Sequence, residues 1–100
     1  MLFLAMPVPA AADVSVYQSV VPMKGNTEAD RSAAFAEALK SAAVRASGRR
    51  DAGSNATIVA AASDATRYVQ QYSTTSDRML KVGFDAKAMD RLLQQAGLPL

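Results

Sequence analysis

The C-terminal third of the chain, residues 67–100, decides the fold and reads RYVQQYSTTSDRMLKVGFDAKAMDRLLQQAGLPL. Within it, residues 79–84 place an apolar residue at every second position, and these are Leu80, Val82 and Phe84. Alternation with one apolar face predicts a half-buried strand. Residues 68–73 form a second candidate strand, and the small polar segment 74–77 between the two suits a hairpin loop. We therefore expect the two strands to pair antiparallel.

A helix is predicted directly after this hairpin. Asp85 can cap its first turn, because the carboxylate can accept a hydrogen bond from a free backbone N–H. Apolar residues then recur at the spacing i, i+3, i+4, i+7, which is one face of a helix; they are Met89, Leu92, Leu93 and Ala96. Gly97 stands where a left-handed residue ends a helix, and Pro99 prevents continuation.

The first half of the chain predicts one strand and one long helix. Residues 14–21 are rich in valine, and Pro22 ends this strand because proline donates no backbone hydrogen bond. Thr27 can cap the helix, with Asp30 completing a capping-box pattern, and Gly48 is its natural end. The apolar stripe of this helix consists of Phe35, Leu39, Ala42 and Ala46, widened by Ala36 and Ala43.

A second helix is predicted over residues 55–65, after a loop bounded by Gly48 and Gly53. Its apolar stripe consists of Ile58, Ala61, Ala62 and Ala65. The element order β-α-α-β-β-α predicts one α+β domain over residues 13–100, with a small antiparallel sheet and helices packed on one face. Because alanine buries little area, we expect thin helices close to the sheet and modest stability.

The first 12 residues carry no charge and end in three alanines before Asp13. Such a segment is typical of the end of a secretory signal peptide, cut between Ala12 and Asp13. The usual basic beginning is missing, and the alternative is a disordered apolar N-terminus. The segment is too short for a membrane span and contains Pro7 and Pro9. We therefore expect a periplasmic or secreted bacterial protein without a transmembrane segment.

The composition excludes several chemistries. The chain has no cysteine and no histidine, so disulfides, cysteine-ligated metals, thiol nucleophiles and histidine general bases are absent. Its carboxylates fall mostly at helix caps, loops and exposed helix faces, and the net charge is only +2. We predict no catalytic residue, no metal and no cofactor, and hence no enzyme. A carboxylate-dependent hydrolase remains the enzymatic alternative.

Four segments resemble the bacterial family catalogued as domain of unknown function 2066. They are VRASGRRD at 44–51, YVQQY at 68–72, LKVGFD at 80–85 and LLQQAGLP at 92–99. The resemblance implies a Gram-negative source, export and no assigned activity. Members of that family generally continue past the Gly-Leu-Pro segment. The resemblance thus leaves two interpretations open, a complete domain or the N-terminal part of a longer protein.

Five residues are candidates for an interaction surface. Arg49 and Arg50 could bind phosphate or an acidic partner, although we favour an exposed basic turn at this position. The three tyrosines, Tyr17, Tyr68 and Tyr72, all fall on predicted strands. If helices cover one face of the sheet, some of these rings would line the open face and suit an interface.

These observations favour a non-enzymatic interaction or structural module in the bacterial envelope. Its partner would be an unidentified envelope protein or a second copy of the chain. The alternative is a KH-like nucleic-acid-binding module, since those domains share this element order. The loop Gly48-x-x-x-x-Gly53 is longer than their Gly-x-x-Gly motif, and we do not expect a nucleic-acid partner.

Overall fold

The computed structural model describes residues 17–75 and 77–99. The predicted signal-peptide remnant, residues 1–12, and the start of the first predicted strand lie outside the described residues. The elements are β1 (Gln18–Pro22), α1 (Glu28–Ser47), α2 (Ala56–Ala62), β2 (Val69–Thr74), β3 (Met79–Phe84) and α3 (Ala86–Gln95). Short 3-10 helices span Arg50–Ser54 and Ala65–Tyr68. The predicted α+β class and element order are confirmed.

The helix ends follow the capping signals in the sequence. Thr27 Oγ1 accepts a hydrogen bond from the Asp30 N–H at 3.0 Å, and the Asp30 carboxylate accepts one from the Thr27 N–H at 3.3 Å. The side chains of Asn55 and Asp85 cap α2 and α3 by accepting hydrogen bonds from backbone N–H groups of the first turn. Gly48 ends α1 with a φ of 71°, in the left-handed region that glycine adopts without a steric cost.

The sheet has the strand order β1-β3-β2, and both pairings are antiparallel. The central strand is β3, which has the most regular alternation in the chain. Its apolar residues Leu80, Val82 and Phe84 are buried under the helices. The β2–β3 hairpin was predicted, whereas the pairing of β1 with β3 joins segments almost sixty residues apart and has no local signal.

The helices cover one face of the sheet and bring alanine into the core. Ala38, Ala42 and Ala43 of α1 are fully buried. Helix α1 lies so close to β1 that the Ser19 hydroxyl donates a hydrogen bond to the Ala38 carbonyl at 3.1 Å. Small side chains on α1 therefore let the helix backbone lie against the strand, as the alanine-rich composition predicted.

A β-bulge in β2 corrects the predicted alternation of that strand. Val69 lies opposite Phe84, but the register shifts after it, with Gln70 as the extra residue. Tyr72 consequently lies opposite Val82 and points to the same side of the sheet as Val69. Strict alternation would have placed these two side chains on opposite faces. Within the described residues, no helix is long and apolar enough to cross a membrane.

Candidate interaction surface

Tyr17 belongs to the core. It directly precedes β1, its side chain is only 8 % exposed, and its hydroxyl donates a hydrogen bond to Asp90 of α3. Burial raises the pKa of Tyr17 to about 12, and the hydrogen bond to Asp90 and the negative charge of Asp90 act in the same direction. The ring therefore connects the start of β1 to α3 and does not line the open face of the sheet.

Tyr72 is the most exposed of the three tyrosines, at 49 %. Its ring packs edge-on against Phe35 of α1, with centroids 5.1 Å apart and planes at 76°. The Arg31 guanidinium lies 5.9 Å from the ring centroid, which is a cation–π contact. Tyr72 thus stands at the outer edge of the helix-covered side, and the bulge explains why it is not on the open face.

The remaining candidates lie in connections. Tyr68 ends the 3-10 helix before β2 and is half-buried. Arg49 forms a bidentate ion pair with Asp51, with Nε–Oδ1 and Nη2–Oδ2 distances of 3.1 and 2.9 Å. The hydrogen bond from Arg49 lowers the pKa of the Asp51 carboxyl. Arg50 is exposed and makes no ion pair within the described residues.

The five predicted residues therefore occupy separate parts of the fold. One is in the core, one is at a sheet edge, and three are in connections before or after the helices. Their role in binding stays a prediction.

The face of the sheet that no helix covers carries both polar and apolar side chains. The residues on this face are Gln18, Val20, Pro22, Gln71, Ser73, Met79, Lys81 and Gly83. Val20, Lys81 and Ser73 lie side by side across the three strands, and Val20 is 52 % exposed. Gly83 has no side chain, and a shallow cleft of about 220 Å³ lies there beside Gln71.

The outer edge of β1 is partly blocked. The alternation of an antiparallel ladder turns the backbone groups of Gln18, Val20 and Pro22 away from β3. The Gln18 carbonyl accepts a hydrogen bond from Arg45 Nη2 at 2.8 Å, and Pro22 has no N–H to offer. The Gln18 N–H, both backbone groups of Val20 and the Pro22 carbonyl still point outward, but an added strand would lose one hydrogen bond at each end of β1.

The outer edge of β2 is open. Thr75 donates to the Met79 carbonyl at 2.8 Å, and the same alternation turns the backbone groups of Tyr72 and Thr74 away from β3. No strand of the described chain lies beyond β2. The strand contains neither charge nor proline, and all of its residues except Val69 are exposed. It therefore lacks the charges and proline that protect many sheet edges, and the bulge at Gln70 confines its regular part to residues 71–74.

Sequence reasoning missed this edge, because its exposure depends on the strand order. The signal available in the sequence was the composition of residues 69–74, which lack both charge and proline. No group of three or more metal-ligating residues occurs in the described part of the chain.

Comparison with known families identifies a family for this chain. A family model described as a domain of unknown function (DUF8605) matches residues 10–100. This supports the expectation of an uncharacterised-domain family, but the matched family is not domain of unknown function 2066. No curated protein and no solved structure matches the chain.

Proposed function

We propose that this chain, which belongs to the family described as a domain of unknown function (DUF8605), is a non-enzymatic module that self-associates in the bacterial envelope. The observation that carries this proposal is the open, uncharged outer edge of β2. Unpaired N–H and C=O groups along an edge strand are a template for pairing with another strand. A second copy supplies such a strand.

The geometry of β2 suits antiparallel pairing about a two-fold axis. Tyr72 and Thr74 have outward backbone groups, so Tyr72 of each copy would exchange hydrogen bonds with Thr74 of the other. Ser73 then lies opposite Ser73 of the second copy. The result is one continuous sheet with the two β2 strands at its centre.

The side chains of β2 are compatible with this pairing. No charged residue lies in the strand, so self-pairing opposes no like charges. Each tyrosine would lie beside a threonine, an aromatic and β-branched pair that favours strand association. Because a single edge buries little area, we expect a dimer that depends on protein concentration.

A matched pair of glutamate variants tests the proposal. Ser73 and Val20 both lie opposite Lys81 in their own sheet, on either side of it. Glutamate at either position gains the same lysine neighbour, but only Ser73→Glu opposes its own charge across the two-fold axis. We expect the parent chain and Val20→Glu to dimerise as concentration rises in light scattering or sedimentation, and Ser73→Glu to remain monomeric.

Thermal unfolding followed by circular dichroism establishes that each variant is folded. If Ser73→Glu dimerises as strongly as the parent chain, β2 is not the interface. A monomeric parent chain at every concentration would refute self-association itself.

Export is the second part of the proposal. The uncharged apolar start and its three alanines before Asp13 support it. We expect cell fractionation to recover the protein outside the cytoplasm with Asp13 as the first residue of the mature chain. Full-length protein retained in the cytoplasm would contradict this part alone.

The KH-like alternative receives less support from the structure. Asp51 already holds two donors of Arg49, so of these two neighbouring arginines only Arg50 makes no ion pair within the described residues. A filter-binding assay decides the matter, since RNA binding would appear as an affinity that falls steeply with salt.

A further inference from the structure

A second surface feature is a cleft of about 360 Å³ between α3 and the 3-10 helix Ala65–Tyr68. The α3 wall consists of Ala88, Arg91, Leu92 and Gln95, which recur at helical spacing and share one face. The small side chain of Ala88 leaves the cleft open, and buried Leu92 forms its apolar floor. The opposite wall consists of Arg67 and Tyr68.

The charges in the cleft have one sign. Among the described residues, Arg67 and Arg91 are the charged ones that line it, and none of the lining residues is a carboxylate. Arg91 makes no ion pair or hydrogen bond through its side chain within the described part of the chain. Lys87 stands one turn before Arg91 on α3 and adds further positive charge nearby.

Arg67 is only loosely held. Its Nη1 lies 3.5 Å from Asp64 Oδ2, whereas a strong charge-assisted hydrogen bond measures about 2.7–2.9 Å. Both side chains are largely exposed, and exposed pairs of this kind contribute little. The guanidinium therefore retains donors for a ligand in the cleft.

We propose that this cleft binds a phosphate monoester. The two guanidinium groups would hold the phosphoryl oxygens, because planar guanidinium donors match the geometry of phosphate. The organic part of the ligand would lie on the ring of Tyr68 and on Leu92, and Gln95 adds an amide at the rim. None of the lining residues belongs to β2, so this site stands whether or not the chain self-associates.

Phenyl phosphate is a suitable probe, because it carries both a phosphoryl group and an apolar ring. Titration at low salt, followed by backbone amide NMR shifts, should saturate and shift signals of residues 67–68 and 88–95. Arg67→Gln and Arg91→Gln should each weaken binding by about ten-fold or more, the usual effect of losing hydrogen bonds to a charged group. Arg50→Gln is the matched control, since it removes the same charge from an exposed position outside the cleft.

Two results would overturn the proposal. One is the absence of saturation with phenyl phosphate, and the other is an equal loss of affinity in the Arg50→Gln control. Vesicles of phosphatidylcholine with and without phosphatidic acid identify the source of the phosphate. If vesicles with phosphatidic acid recruit the protein and both cleft variants reduce this recruitment, the ligand is a lipid headgroup. If only phenyl phosphate binds, the ligand is a soluble monoester.

Discussion

The buried hydroxyl of Ser19 offers the sharpest test of how α1 is held against the sheet. Ser19 is only 2 % exposed and is the one buried polar side chain of the described core. Its hydroxyl donates to the Ala38 carbonyl at 3.1 Å and accepts from Arg45 Nη2 at 3.0 Å. Ser19→Ala removes both bonds and leaves the shape of the site nearly unchanged.

The expected loss follows from what the substitution leaves behind. Arg45 keeps its bond to the Gln18 carbonyl at 2.8 Å, and the Ala38 carbonyl keeps its acceptor role inside α1. Because no buried group is left without a partner, only the net value of the two bonds is lost, about 1–2 kcal/mol in free energy of unfolding. For a domain of this size, the melting temperature should fall by roughly 5–15 °C.

Urea unfolding of four proteins measures this effect: the parent chain, Ser19→Ala, Arg45→Gln and the double variant. The cycle should give a coupling energy of about 0.5–1 kcal/mol between the two side chains. Ser73→Ala is the matched control, since it removes an exposed hydroxyl from the open face and should change stability by less than about 0.5 kcal/mol. A Ser19→Ala protein as stable as this control would refute the close contact between α1 and β1.

Three further predictions concern the core and its caps. Because the pKa of Tyr17 is raised from 10.0 to about 12 in the folded state, its contribution to the free energy of unfolding is complete below pH 10. About 2–3 kcal/mol of this stability should be lost as pH rises from about 10 to about 12. Tyr17→Phe should remove this component, whereas Tyr72→Phe should retain it in unfolding measured across that range. Asn55 caps α2 with its Oδ1 and donates from Nδ2 to a carbonyl at the end of α3, so Asn55→Ala should cost about 1–2 kcal/mol in urea unfolding. Leu93 is fully buried, and Leu93→Ala should cost about 2–5 kcal/mol in the same assay, against less than about 0.5 kcal/mol for exposed Gln94→Ala.

Each of these has a contrary outcome. A Tyr17→Phe protein that loses stability above pH 10 as steeply as the parent chain would show that other groups dominate there. An Asn55→Ala protein of parent stability would mean that water replaces both sets of bonds. Equal stability of Leu93→Ala and Gln94→Ala would contradict the burial of the α3 stripe.

Most local elements could be predicted, because their signals are local. The bounds of β3, residues 79–84, agree with the predicted strand. The caps at Thr27 and Asp85 could be predicted because each side chain bonds to a backbone group three residues away. The second helix was predicted too long, since the chain passes from α2 into a 3-10 turn near Ser63.

The remaining features depend on contacts between distant segments. The Ser19–Arg45 bond joins residues 26 positions apart, and no pattern in either segment indicates it. The bulge at Gln70 reversed the expected side of Tyr72, and the strand order decided which edges are free. Both the open edge of β2 and the arginine-lined cleft required these contacts before they could be recognised.

The partly blocked outer edge of β1 limits how many copies can join through strand pairing. A domain with two receptive edges can add copies without end and form a fibre. Here each added copy would bring one receptive edge and one partly blocked by Arg45 and Pro22. Joining two copies through β2 leaves two β1 edges outside, each with fewer free backbone groups than β2, so growth by this route is disfavoured beyond two.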